Sequence, residues 1–96
     1  MTELIEAVRA QDIDRVKRLL AEATNLEATD HLGRTALLHA VGNGDIAIVS
    51  ALLDAGANPS HEDVGLLSAH DYAQLRQDQH LYHLLRGTDA GEIPTP

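Results

Sequence analysis

The sequence predicts an all-α solenoid of three stacked helix-turn-helix units joined by hairpin-like loops, and two observations lead there. The first is a period of thirty-three: Ala7, Ala40 and Ala73 fall in register, as do Asp12, Asp45 and Asp78, and Leu19, Leu52 and Leu85. A unit of that length cannot bury its own apolar face and must stack on its neighbours. The second is composition. The 96 residues include no Phe or Trp and only Tyr72 and Tyr82 as aromatics, so the core must be aliphatic, which suits closely packed helices. Further columns keep the period: Val16 and Val49 with Tyr82, Asn25 with Asn58, Asp30 with Asp63, and Thr2 and Thr35 with Ser68.

Each unit reads as two short helices and a connector. By register Thr2 opens the first unit, whose connector from Thr24 to Arg34 is polar with Gly33 near its end. In the second unit Thr35 can N-cap a helix to about Gly42, because its hydroxyl can accept from a first-turn amide that lacks a helical partner. Gly44 ends that helix. Asp45 begins another, whose Ile46, Ile48, Val49, Leu52 and Leu53 form a broad apolar stripe that stops at Gly56. The connector from Ala57 to about Leu67 is rich in turn residues: Asn58, Pro59, Ser60 and Gly65. In the third unit Ser68 and Asp71 have capping-box spacing, and helices are expected over about Ser68 to Arg76 and Asp78 to Arg86. The domain is thus expected over residues 1–86, with repeats at about 1–29, 30–62 and 63–86 and a disordered tail over 87–96.

The apolar columns fail at both ends. Arg15 and Arg18 stand where the other units have Ile48 with Leu81 and Ala51 with Leu84, so one side of the first unit is polar. In the third unit His70, Gln79 and Arg86 replace Leu4 with Leu37, Ile13 with Ile46, and Leu20 with Leu53. Loss of two different column sets at opposite ends is the pattern of capping repeats, so a finished three-unit array is expected.

These residues resemble the ankyrin repeat, and the likeness covers roughly residues 2–86. The second unit matches best, with Asp30, Gly33, Thr35, Leu37, Ala40, Gly44, Ile48, Val49, Leu52, Leu53, Gly56 and Ala57 at family positions. Ala36 replaces the signature proline. Leu38 replaces the signature histidine, and packing is expected to substitute for the lost polar tie. Leu66 stands where the resemblance implies a turn glycine, with Gly65 one position early, which leaves the geometry of the second loop open.

Seven basic against fifteen acidic side chains give a net charge of -8, spread along the chain. Without clustered Lys and Arg, nucleic acid and anionic membrane are not expected partners. The absence of cysteine removes disulfides, zinc-thiolate sites and thiol catalysis, and the cytoplasm is the default address. Glu3, Glu6 and Arg9 interrupt any apolar run long enough for a signal peptide or membrane span.

Chemistry is not expected. Ser68, His70 and Asp71 have the composition of a triad, but close neighbours on one helix point in different directions, and no nucleophile elbow or phosphate-binding loop is present. His80 and His83, three apart on one helix, could share an ion, yet their columns mark exposed positions and a closed site needs four ligands. No metal or other cofactor is expected. His70 is expected at a cap position facing water; partial burial would let its protonation loosen the last unit in acid.

Recognition remains. The resemblance implies that a protein partner is held by the loop tips and the inner-helix row. The tips are His31, Leu32 and Arg34 in the first loop and Val64, Gly65 and Leu67 in the second. The row is Glu6, His39 and Tyr72, with Arg9, Asn43 and Arg76 near the helix ends. Leu32, Val64, Leu66 and Leu67 are apolar residues in turn-rich connectors, and either form a contact patch or pack beneath their own loops. A non-catalytic protein-binding module, monomeric when unbound, is the leading expectation. The alternatives are a dedicated inhibitory or stabilising subunit of one enzyme or toxin, and a weak metal-responsive protein using His80 and His83.

Overall fold

The computed structural model describes residues 2–22 and 24–86; the expected tail over 87–96 lies outside the described residues. Six helices follow in order: α1 (Glu3–Arg9), α2 (Ile13–Ala21), α3 (Ala36–Asn43), α4 (Ile46–Asp54), α5 (Ala69–Arg76) and α6 (Gln79–Arg86). Helices α1, α3 and α5 pack side by side as an inner row and α2, α4 and α6 as an outer row. Each inner helix also packs on the outer helix of its own unit. The result is the all-helical stack that the period requires.

The period is a hydrogen-bonding period as well. Asp12, Asp45 and Asp78 each accept from the amide three residues on, at 3.2, 3.2 and 3.1 Å, and so start α2, α4 and α6. Their own amides reach back to the carbonyls of Ala7, Ala40 and Ala73 at 3.0, 3.2 and 3.0 Å, closing the same tight turn three times. Thr2 and Thr35 cap α1 and α3 through their hydroxyls. At α5 the Asp71 carboxylate accepts from both the amide and the hydroxyl of Ser68, at 2.9 and 3.2 Å.

Ala7, Ala40 and Ala73 are fully buried, which lets neighbouring helices approach closely. Around them lie Leu37, Leu38, Ile48, Leu52, Leu81 and Leu85, all inaccessible or nearly so. The end units depart as expected. Arg15 is half-buried and pairs with Glu3 at 3.3 Å, whereas Ile48 and Leu81 of the same column are core. His70 is half-buried, its ring edge-on to Tyr82 with centroids 6.1 Å apart, so it is less open to water than a bare cap position.

Both loops have one geometry. In the first, the Asp30 amide donates to the Arg34 carbonyl and the Gly33 amide to the Asp30 carbonyl, each at 3.0 Å. In the second, Asp63 donates to Leu67 at 3.0 Å and Leu66 to Asp63 at 2.9 Å. Leu66 therefore takes the place of Gly33, and with it the left-handed conformation: φ is 75° at Gly33 and 66° at Leu66. The early glycine at position 65 does not shift the turn. A leucine held there costs about 1–2 kcal/mol, only part of which is offset by the greater chain entropy that a glycine would lose. Leu66→Gly is expected to raise stability by about 0.5–1 kcal/mol, read as a higher denaturation midpoint with unchanged helix content. An unchanged or lower midpoint would count against the strained turn.

Candidate functional site

The loop tips are shaped by two aspartates at one phase of the repeat. One oxygen of Asp30 accepts from the amides of Leu32 and Arg34, at 2.9 and 3.0 Å. One oxygen of Asp63 does the same for Gly65 and Leu67, at 2.8 and 3.1 Å. The second oxygen of each faces the inner helix. Asp30 Oδ2 meets His39 Nε2 at 2.8 Å and Arg34 Nε at 3.0 Å, and Asp63 Oδ2 accepts the Tyr72 hydroxyl at 2.5 Å. Each loop is thus bracketed to the helix that follows it.

The polar tie expected to be lost with the signature histidine is present in another form. Leu38 is buried in the core, and His39, the next residue, reaches the loop aspartate instead. Sequence reading aligned Asp30 with Asp63 but assigned them no role. The available signal was a polar aromatic nine residues after each.

Electrostatics follow this geometry. Burial alone pushes the Asp30 carboxyl up, but hydrogen bonds from the Arg34 amide, the His39 ring, the Leu32 amide and the Arg34 guanidinium outweigh it and hold it well below the usual carboxylate range. Asp63 is held low chiefly by the Tyr72 hydroxyl, then by the Leu67 amide. Tyr72 is pushed up by burial first and by its bond to Asp63 second.

At His39 burial is the largest influence and lowers the pKa; Arg34 and Arg9 act in the same direction, against the bond to Asp30. The unfolded chain therefore takes up a proton near pH 6.5, where the folded chain resists it. Stability from this group is complete above about pH 6.5 and is lost as pH falls below it. Melting temperature is expected to drop between about pH 7.5 and pH 5.5, and His39→Gln is expected to flatten that stretch. An equal drop in the variant would place the acid sensitivity elsewhere.

The tips are also joined to each other. The Val64 amide donates to the Leu32 carbonyl and the His61 ring to the Gly33 carbonyl, both at 3.0 Å. Gly33 is required twice over, since a Cβ there would lie 3.1 Å from the Val64 amide nitrogen as well as sitting at positive φ. At the far end of the inner helices, Asn43 donates to the Val8 carbonyl at 3.4 Å and Arg76 to the Gly42 carbonyl at 3.0 Å. Each side chain ties its helix to the C-terminal turn of the unit before. Gly44 lies beneath Arg76, whose guanidinium would collide with any Cβ at that position.

Of the residues assigned to recognition by sequence, His31, Leu32, Val64, Asn43 and Arg76 are exposed. Arg34, Leu67, His39 and Tyr72 are half-buried. The polar ends of His39 and Tyr72 are engaged by the loop aspartates. Of the loop apolar residues, Val64 and Leu66 are each 71% exposed and Leu32 is exposed as well, whereas Leu67 is half-buried. Leu75, at 72%, was not singled out by sequence; its signal was an apolar residue in a column otherwise held by Arg9 and Gly42. His80 and His83 are exposed on α6, and no group of three or more metal-ligating side chains occurs among the described residues. No helix among the described residues is long and apolar enough to cross a membrane.

Stacked helix pairs presenting bracketed loop tips along one edge define a helical-repeat scaffold of the kind that displays a binding surface. The chain belongs to the ankyrin-repeat family: the family model for ankyrin repeats in three copies matches residues 1–92. It is similar to the mitochondrial disaggregases of Bos taurus and Homo sapiens, 43% identical over 60 residues, which covers 62% of this chain but only 9% and 8% of theirs. It is also similar to a putative ankyrin repeat-containing protein of Treponema pallidum, 37% identical over 82 residues, covering 85% of this chain and 28% of that one. The chain thus spans a small part of the curated relatives it matches. Ankyrin repeats are generally protein-interaction modules and typically non-catalytic.

Proposed function

We propose that this chain is a non-catalytic module that binds a protein partner with its loop tips and inner-helix row. The observation that carries the reading is the pair of Asp-bracketed loops holding Leu32, Val64 and Leu66 outward. Exposed apolar side chains cost solubility and add nothing to the core, and on a rigid support they are the anatomy of a contact patch. Because the loops are already ordered, little conformational entropy is lost when a partner docks. Arg34, beside Leu32 and Tyr72, is the polar anchor by composition. The binding unit is residues 1–86 as three repeats, acting as a monomer, a reading supported by the polar columns at both ends of the stack.

The test is affinity purification from the native source, comparing the unaltered chain with Val64→Asp. Val64 is the better probe because Tyr72 and Arg34 also hold their loops, whereas Val64 is open to solvent. Proteins recovered with the unaltered chain are expected to be lost with the variant. Recovery of the same proteins in the same amounts would move the binding surface elsewhere.

A further inference from the structure

The chain has three asparagines, Asn25, Asn43 and Asn58, and only Asn43 is followed by glycine. An asparagine loses its side-chain amide when the backbone nitrogen of the next residue attacks its Cγ, so the residue that follows governs the rate. At Asn58 that residue is Pro59, whose nitrogen has no hydrogen to give up, and the step is barred. At Asn25 it is Leu26, whose bulk shields the nitrogen, and Asn25 Oδ1 is held by the Glu27 amide at 3.0 Å. Gly44 has no side chain to shield the nitrogen that faces Asn43.

The fold has its own reason for each member of this pair. Asn43 joins the second unit to the first through the Val8 carbonyl. Gly44 ends α3 in the left-handed conformation, with φ 73°, in a space that Arg76 leaves too small for a Cβ. Two structural needs that happen to be adjacent thus create a labile bond.

The same contacts hold the reaction back. Asn43 is the last helical residue of α3, and the Gly44 amide is engaged by the Val41 carbonyl at 3.0 Å. Arg76 bonds to the Gly42 carbonyl at 3.0 Å and covers Gly44, so it straps the last turn of α3 down from outside. The restraint lies at an exposed helix end, where local opening costs least, and the bond from Asn43 to Val8 is long at 3.4 Å.

We infer that Asn43 is the deamidation site of this chain and that Arg76 sets its rate. When the last turn of α3 opens, the Gly44 nitrogen gives up its proton to solvent and bonds to Asn43 Cγ, the bond from Cγ to the side-chain nitrogen breaks, and ammonia leaves. Water then opens the resulting five-membered imide at one of its two carbonyls, leaving aspartate or its β-linked isomer at position 43. Either product has a carboxylate where the donor stood. It cannot donate to the Val8 carbonyl, and it lies where α1 and α3 both end, a place where helix dipoles disfavour negative charge. The modification therefore loosens the first unit from the second.

The experiment incubates the full chain, Arg76→Ala and Ile5→Val in mildly alkaline buffer, folded and in concentrated urea, and reads conversion at each asparagine from fragment masses. Ile5→Val removes one buried methyl group in the first turn of α1, away from the last turn of α3, and so lowers global stability alone. In the folded chain Asn43 is expected to convert while Asn25 and Asn58 stay intact. Arg76→Ala is expected to convert several-fold faster and Ile5→Val at the unaltered rate, with urea raising the rate roughly tenfold or more above that of the folded chain. Asn43→Asp, made directly, is expected to unfold at a lower denaturant concentration than the unaltered chain.

Conversion first at Asn25 or Asn58, or conversion of Asn43 in urea alone, would overturn the site. Equal folded rates in Arg76→Ala and the unaltered chain, or equal acceleration in Arg76→Ala and Ile5→Val, would overturn the role of Arg76. An Asn43→Asp midpoint at or above that of the unaltered chain would overturn the loosening of the first unit.

Discussion

Asp30→Ala is expected to destabilise the chain by about 3–5 kcal/mol, the cost of removing one partner from a buried charged network. The side chain is 2% exposed, and its two oxygens accept from four donors: the amides of Leu32 and Arg34, the Arg34 guanidinium and the His39 ring. Truncation leaves two loop amides without acceptors and strands His39, whose side chain is only 9% exposed, beside an unpaired guanidinium. Domains of this size have about 5–15 kcal/mol in all, so the variant would stand near the edge of folding. Denaturant titration against Asp54→Ala, an exposed carboxylate on α4 expected to change stability by less than about 0.5 kcal/mol, measures the difference. Equal midpoints would mean that the bracket does not hold the loop.

Ile48→Arg is expected to abolish folding. Ile48 is fully buried between units, and an arginine there would lie in the aliphatic core with no carboxylate to meet it. The same residue type is tolerated in the same column of the first unit, because Arg15 is half-buried at the end of the stack and reaches Glu3. Position in the stack, not residue preference, decides. Arg15→Ile is therefore expected to keep its helix signal by circular dichroism, whereas Ile48→Arg should show an unfolded spectrum. A folded Ile48→Arg protein would contradict the stacking order of the units.

The fold was legible in the sequence because it rests on columns, and columns survive without coordinates. Ala40 and Leu52 mark core, Asp45 marks a helix start, and Arg15 with His70 marks the two ends. What stayed hidden depends on the chain returning to itself across the period. Leu66 takes a glycine's conformation because the Asp63 bracket and the link between the two loop tips determine the turn, and no local preference of leucine foretells that. The bond from His39 to Asp30 forms only once the loop has folded back on α3. For the site, the positions of the tips were legible, but whether their apolar residues face solvent was not, since a loop leucine reads the same in either place. Leu75 escaped for a similar reason: an apolar residue near the end of a short helix reads the same whether it is covered or open to solvent.

The central claim is that the loop tips are a rigid surface before any partner arrives. Amide hydrogen exchange tests it at four atoms, the N–H groups of Leu32, Arg34, Gly65 and Leu67 that donate to the two aspartates. Bracketed loops predict protection at Arg34 and Leu67 approaching that of the α3 amides, lost together in Asp30→Ala for the first loop. Exchange of all four at the rate of an unstructured peptide would contradict the account.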